Sequence, residues 1–243
     1  ADNRFEDIAP TPILVGAPNP GVRILRNQFR NVGYDLSGEK QHAMYIKAPG
    51  YLVEGNVIDN VGGYNGISIR TAGIVRGNWL INVKSEGIKY YSDGQDKGDG
   101  KLLIENNVVI NSGRSGIGFD TGAGVLIDQA VVRFNTLVNN YRALRFGTAI
   151  YPVNFTIYGN ILIESSGNYT YGTSGLTQLL MVDNIQSTQP GDLFVDFAGL
   201  NVNLRPGVAA IRSVQAIASD PFGPPTKDYF GIAYDAAPHD AGA

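Results

Sequence analysis

The sequence predicts an all-β protein: a single-stranded right-handed parallel β-helix of about seven coils, closed by a C-terminal capping segment. Three observations predict it. They are a gapless eight-residue repeat, a second motif that follows the first at a nearly constant offset, and a composition rich in glycine and asparagine but poor in charge.

The repeat has the form apolar-x-x-Asn-x-apolar-x-Asn. It appears as Ile24–Asn31, Val53–Asn60, Val75–Asn82, Ile104–Asn111, Val132–Asn139 and Ile157–Glu164, the last closing on Glu in place of Asn. The first Asn falls at 27, 56, 78, 107, 135 and 160, in steps of 29, 22, 29, 28 and 25 residues, and Asn184 marks a further turn. Self-similarity at this period means stacked units, none able to bury its own apolar face. The second motif is a small residue followed by apolar-x-apolar: Ala43–Ile46, Gly66–Ile69, Gly87–Tyr90, Gly116–Phe119 and Ala143–Phe146. Its period of two is that of a strand with one face inside. Like strands stacked coil on coil form parallel sheets around a continuous core, and a buried Asn at each corner can join neighbouring coils in a ladder of amides.

Composition agrees. The 243 residues hold 31 Gly and 21 Asn, and 43% are hydrophobic, so the chain is no disordered polymer. Charged residues make up 17%, against about 25% in an ordinary domain. No Cys is present, which excludes disulfides, thiolate nucleophiles and Cys-ligated metals. The net charge of -3 argues against nucleic acid or an anionic membrane surface as partner, and no apolar stretch approaches the ~18 residues of a membrane span. The opening Ala1-Asp2-Asn3-Arg4 carries no charged region followed by an apolar one, so this chain is expected to show no signal peptide. The expected organisation is one domain: a Pro-rich lead-in over 1–21, coils over 22–190 and a cap over 191–243 that covers the last coil's open edge.

The Gly-Asn-Val-Ile-x-Asn…Gly-Ile-x-Ile pattern, as at Gly55–Asn60 and Gly66–Ile69, resembles the right-handed parallel β-helix superfamily of polysaccharide-active proteins. That group includes pectate, alginate and chondroitin lyases, mannuronan C5-epimerases, polygalacturonase-like hydrolases and phage tailspikes. Asn203–Ile211 is similar to the L-R-P-G-S-P-A-I-D segment that follows the coils in bacterial members, with Val208-Ala209 for Ser-Pro and Arg212 for Asp. Asp228–Ala243 is similar to their terminal D-x-D-G…D-I-G-A. The resemblance implies the fold, a polysaccharide partner and a secreted or cell-surface location. It does not select one reaction, since one scaffold carries many. The D-P-H-D motif of mannuronan epimerases is absent, because His239-Asp240 lies in the terminal segment.

In the Gly-Ile-x-Ile strands the apolar pair points inward. The residues between and just after it therefore face out: Tyr45 and Lys47, Ser68 and Arg70, Lys89 and Tyr91, Gly118 and Asp120, Arg145 and Gly147. His42, Asn65, Glu86, Ser115 and Arg142 stand just before these strands. Neighbouring coils are ~4.8 Å apart, so like positions reach one another. One face thus gathers a mostly basic strip with aromatics, suited to an extended acidic polysaccharide. The opposite wall, with Val57, Trp79, Val108 and Thr136, is less suited, and Trp79 is expected to pack rather than to stack on sugar.

Removal of the C5 proton of a uronate needs a cation on the adjacent carboxylate and a base of lowered pKa. Lys89 and Tyr91 are the candidate base or acid, Arg70 and Arg145 the carboxylate holders, and His42 a neighbour able to assist. Tyr45, Lys47, Asn65, Ser68, Asp120 and Arg142 are candidate substrate contacts. Two long loops flank the strip: residues 28–42, with Asp35, Glu39 and Lys40, and Ser92–Lys101, with Asp93, Asp96 and Asp99. Those three aspartates with Glu86 are a candidate Ca2+ site, although simple Gly-Asp turns explain them equally; no organic cofactor is expected. Two further readings stay open. One is a non-catalytic binding, adhesin or structural β-helix, and the other a glycoside hydrolase using Glu86, Asp93 and Asp120. The glycosylation triplets at Asn154 and Asn168 carry little weight.

Overall fold

A computed structural model describes residues 1–34, 39–93, 100–123, 127–147, 154–164, 166–173, 176, 178–205 and 220–223. They form a parallel β-solenoid of three sheets. Sheet A contains Arg4–Ile8 (β1), Gln28–Val32 (β4), Val57–Val61 (β7), Trp79–Val83 (β10), Val108–Ile110 (β13), Thr136–Val138 (β16), Ile161–Ile163 (β19) and Ile185–Ser187 (β22). Sheet B contains Ile13–Val15 (β2), Met44–Ile46 (β5), Ile67–Ile69 (β8), Glu86–Asp93 (β11), Ser115–Ala123 (β14), Leu144–Phe146 (β17) and Thr170–Tyr171 (β20). Sheet C contains Arg23–Leu25 (β3), Tyr51–Glu54 (β6), Gly73–Arg76 (β9), Lys101–Glu105 (β12), Gln129–Arg133 (β15), Asn154–Tyr158 (β18) and Leu179–Val182 (β21). Every A–B–C triplet is one coil, and there are seven. A short antiparallel pair follows, Phe194–Asp196 (β23) with Asn201–Leu204 (β24).

The Gly-Ile-x-Ile motifs are the strands of sheet B, as expected. The Asn repeat, in contrast, is not one strand. Its first apolar residue closes a strand of sheet C, its Asn sits on the corner, and its second apolar residue opens into sheet A. The C-to-A corner is always two residues long, from Arg26-Asn27 to Asp183-Asn184. The first of the pair has φ between +50° and +67° at all seven corners. Glycine takes this left-handed conformation freely at 55, 77 and 159, whereas Phe134 pays about 1–2 kcal/mol for it. Its ring is held edge-on to Tyr158, 5.4 Å between centroids.

The second corner residue is the ladder Asn. Asn107 shows the pattern. Its Nδ2 donates to Val75 O and Glu105 O at 3.0 Å and to Asn135 Oδ1 at 2.9 Å, and its backbone N–H shares that same Oδ1. The chain of amides runs Asn3, Asn27, Asn56, Asn78, Asn107, Asn135, Asn160 and Asn184. Buried backbone groups at a sharp corner would otherwise lack partners, and the side-chain amide supplies both a donor and an acceptor. Asn3 heads the ladder, and the residues expected as a lead-in supply β1 and β2 of the first coil. A second column, Asn31, Asn60, Asn82, Asn111 and Asn139, takes left-handed φ at the other end of sheet A.

Inside, side chains stack in register. Phe29, Ile58, Leu80, Val109, Leu137 and Leu162 fill one column from sheet A, all buried. From sheet B come Ile117 and Phe119, Leu144 and Phe146; Phe119 stacks on Phe146 at 5.6 Å, and Phe155 of sheet C meets both edge-on. Burying each such side chain stabilises the fold by about 1.5–3 kcal/mol.

From β12 onward, sheets A and C carry apolar side chains on the outer face as well as the inner. Leu103, Val131, Val138, Ile161 and Ile163 point outward yet are buried, because Leu193, Phe194 and Val202 of the β23–β24 segment cover them. Trp79 packs against the same cluster, as expected of it. The described part of the C-terminal segment therefore packs along this flank. Asp220 is tied down by Arg133, which also holds Glu105 at 2.7 Å, and by the Tyr158 hydroxyl at 2.7 Å. Residues 206–219 and 224–243, which hold most of the family-like terminal motifs, lie outside the described residues.

Glu164, where the repeat breaks, is fully buried. Asn140 Nδ2 donates to its Oε1 at 3.3 Å, while Oε2 has no partner. Burial pushes its pKa up to about 9, against the hydrogen bonds from Asn140.

Two outcomes follow from these interiors. Asn107→Ala removes three donations and leaves the Asn78 amide without its acceptor, so it is expected to cost about 2–4 kcal/mol in urea unfolding. Asn82→Ala, exposed on the second column, is expected to cost only about 1 kcal/mol, mainly for its left-handed φ. Equal costs would contradict a special role for the buried ladder. The folded pKa of Glu164 is raised, so its contribution is complete below the unfolded value near 4.5 and is lost as pH rises toward about 9. Glu164→Gln is expected to flatten the decline of the unfolding free energy across that window, measured by urea titration at successive pH values.

Candidate functional site

The outward face of sheet B carries the candidate site. The ladder corner fixes each coil's register, so outward side chains line up in columns. One column reads Leu14, Tyr45, Ser68, Lys89, Gly118, Arg145 and Tyr171 along paired strands. Beside it, Tyr91 pairs with Asp120. A cleft of about 600 Å³ opens over the first of these coils. Its lining includes His42, Tyr45, Arg70, Lys89, Tyr91 and Asp120, so the fold brings together most of the residues expected there. Pro10, Thr11, Gln41, Tyr64 and Arg114 line it too and were not expected. All five lie off the period-two strands, where the alternation gives no signal.

Behind the cleft lining, in contact with Lys89 and Arg114, sits Glu86, with no solvent exposure. Ser85 Oγ donates to Oε2 at 2.7 Å, Lys89 Nζ to Oε1 at 3.2 Å, and the guanidinium groups of Arg114 and Arg145 each stand 3.5 Å from Oε1. Asp120 takes Lys89 Nζ at 3.3 Å and Arg145 Nη1 at 3.1 Å. Burial pushes both carboxyls up in pKa, but these cations and hydrogen bonds outweigh it and hold both below the ordinary range. Lys89 is 5% exposed; burial lowers its pKa more than Glu86 and Asp120 raise it. Lys89 is thus clasped by two carboxylates, which its column neighbours Ser68 and Gly118 do not announce.

Glycines make room for this network. A Cβ on Gly118 would lie 2.9 Å from Glu86 Cγ, one on Gly147 2.0 Å from Asp120 Oδ1, and one on Gly122 2.0 Å from the Tyr91 hydroxyl. In the sequence Gly118 and Gly147 are only blanks in the strip, and Gly122 gives no signal at all. In the fold they are the cradles that set where two carboxylates and a phenol stand.

Arg70 lies between aromatic rings, its guanidinium 4.5 Å from the Tyr45 centroid and 5.0 Å from that of Tyr91. Its Nη1 donates to Ser68 Oγ at 3.0 Å. Lys47 Nζ stands 5.4 Å from the Tyr45 ring centroid. Asn65 serves the frame: its Oδ1 accepts from the Glu86 backbone N–H at 3.2 Å. Its own N–H donates to His42 Nδ1 at 3.3 Å, which leaves the ring proton on Nε2. His42 stacks on Tyr45 at 5.3 Å, and burial with the nearby Arg70 charge lowers its pKa to about 4. It is a neutral donor at Nε2, not a base. Arg142 stands apart from the cleft, farther along the face.

Among the described residues, no three His, Asp or Glu side chains converge where a metal ion could sit. Glu86 does not fit the ligand role expected of it, because its two oxygens are already engaged by Ser85, Lys89 and two arginines. Asp96 and Asp99, and the side chain of Asp93, lie outside the described residues. No helix among the described residues is long and apolar enough to cross a membrane. No known family model matches the chain, and no curated protein or solved structure is similar enough to count as a match.

The His42 assignment has a direct readout. The imidazole carbon shift in NMR is expected to stay flat through pH 6.5 and to move only near 4; titration near 6.5 would contradict the buried, Asn65-bound ring.

Proposed function

We propose that the sheet B cleft binds an acidic polysaccharide outside the cytoplasm and acts on it as a uronate lyase or C5-epimerase. One observation carries this reading: Lys89, Tyr91 and the ring-flanked Arg70 meet in the lining of a single cleft. Arg70, set between Tyr45 and Tyr91, carries a planar fork suited to a uronate carboxylate. Pairing there would draw charge from C5 and stabilise the enolate-like intermediate left when its proton departs. Lys89 in its neutral form, which burial favours, or Tyr91 takes that proton. In a lyase the electron pair then expels the C4 oxygen, which the other of the two protonates; in an epimerase a proton returns to the opposite face of C5. Arg145, paired to both carboxylates, contributes by fixing Glu86 and Asp120 around Lys89 rather than by touching the sugar.

The hydrolase reading loses support at two of its three carboxyls, because Glu86 and Asp120 are both held below the ordinary range and neither suits the protonated acid; the side chain of Asp93 lies outside the described residues. Non-catalytic binding keeps one specific observation in its favour. Two carboxylates on Lys89 favour its charged form, and a charged Lys89 would hold the polymer without abstracting a proton.

The test is incubation with polygalacturonate, alginate and hyaluronan, monitored by the ultraviolet absorbance of unsaturated uronate, with NMR of the recovered polymer for epimerisation. Product is expected with at least one polymer. Gly122→Ala, which pushes into the Tyr91 hydroxyl, is expected to cut the rate at least ~10²-fold while melting within a few degrees of the parent. Binding without either product would leave the non-catalytic reading, and no binding at all would sink the polysaccharide assignment.

A further inference from the structure

Arg142 lies outside the cleft and outside the charge network described above. Its guanidinium sits 3.9 Å from the Tyr171 ring centroid and 4.9 Å from that of Tyr141. The two rings are 45% and 56% exposed, among the most exposed large side chains of the described residues. Among those residues Arg142 makes no ion pair, whereas Arg114 and Arg145 are both satisfied by Glu86. The ledge is fixed in place from beneath: Gly116 N–H donates to Arg142 O at 2.9 Å, and Tyr141 N–H to Ser112 O at 3.0 Å.

Its position is set by register. Tyr171 pairs with Arg145, so it continues the column that passes through Ser68, Lys89 and Gly118. The ledge and the cleft therefore share one face of the solenoid and one line parallel to its axis. Four coil steps separate Arg70 from Tyr171, a span of about 19 Å at ~4.8 Å per strand. That is longer than a disaccharide and matches a ligand that is itself extended.

We infer that Tyr141, Arg142 and Tyr171 form a second binding subsite for the same acidic polysaccharide, one that engages a uronate unit several sugars away from the cleft. The inference rests on the polysaccharide reading given above. Each part of the ledge has a chemical counterpart in such a unit. The exposed tyrosines accept the C–H-rich side of a pyranose ring, and the guanidinium, set against both rings, presents its N–H groups to the carboxylate. Clasped between two rings, Arg142 has already given up the rotamer freedom that a free surface arginine would lose on binding. Two subsites on one rigid strip then act as linked sites, so affinity grows with polymer length until both are filled.

The experiment is calorimetric or gel-affinity binding of polygalacturonate, alginate and hyaluronan, each as polymer and as disaccharide, to the parent chain, Arg142→Ala and Tyr171→Ala. Melting curves verify that each variant is folded. For a polymer the parent binds, Arg142→Ala is expected to weaken affinity about tenfold, with a smaller loss for its disaccharide. Arg142→Lys, which keeps the charge but not the flat fork, is expected to fall between. Parent-like polymer affinity in Arg142→Ala, or an equal loss for disaccharide and polymer, overturns the second subsite while leaving the cleft reading intact. A parent chain that binds none of the polymers overturns both.

Discussion

The two-residue corner and its asparagine amide are what the rest of the structure depends on. A chain that turns this sharply between two sheets buries backbone groups that neither sheet can pair. The amide answers with two N–H donors and one oxygen, and the same oxygen serves the neighbour's backbone and side chain together. Each coil is thereby locked to the next at a fixed residue. Register in all three sheets follows from that lock, and a slip of one residue would turn every inward Ile, Leu and Phe outward. The columns of side chains on sheet B, and hence the meeting of Lys89 with Asp120 across two coils, are downstream of the same lock.

Sequence and structure agree wherever a signal recurs once per coil. The six Asn repeats and the five Gly-Ile-x-Ile motifs gave the solenoid, the inward faces and the candidate face, because position along a period-two strand dictates direction. Asn3 is hard to recognise because only the second half of the repeat, Asn3-x-Phe5-x-Asp7, stands there, with Asp in place of the closing Asn. The path of the C-terminal segment was legible in principle: Leu102-Leu103-Ile104 and Ala130-Val131-Val132 are continuous apolar runs, which mark strands covered on both faces, and they were read only for their inward half. Pairing within the site was not legible. Whether Lys89 meets an arginine or a carboxylate depends on the reach of side chains between coils and on the room left by Gly118, Gly122 and Gly147, and no spacing rule encodes either.

The site also shows how a chain of low charge spends it. Glu86 is completely buried, and a lone carboxylate there would be costly; four donors surround it, so the cluster stands as a unit. Its members hold one another in place more than they add net stability. That rigidity is what a binding face needs, since Lys89 and Arg145 have few other positions open to them. Arg142 is treated differently. Among the described residues it makes no ion pair and lies against tyrosine rings, which orient a guanidinium without consuming its affinity for an anion as a carboxylate would.

Connection lengths around the coil are unequal in kind. From sheet C to sheet A the chain always spends two residues, but from A to B it spends between two and eleven, and from B to C between three and seven. The invariant turn is the spine, and both variable turns border sheet B. Insertions and deletions that the stack tolerates must therefore fall on the two rims of sheet B, the candidate face, because one extra residue at the spine would break the amide chain. The architecture separates what must be inherited unchanged from what is free to diverge. New ligand preferences can arise by altering the rims alone, with the coil count and the interior left as they are.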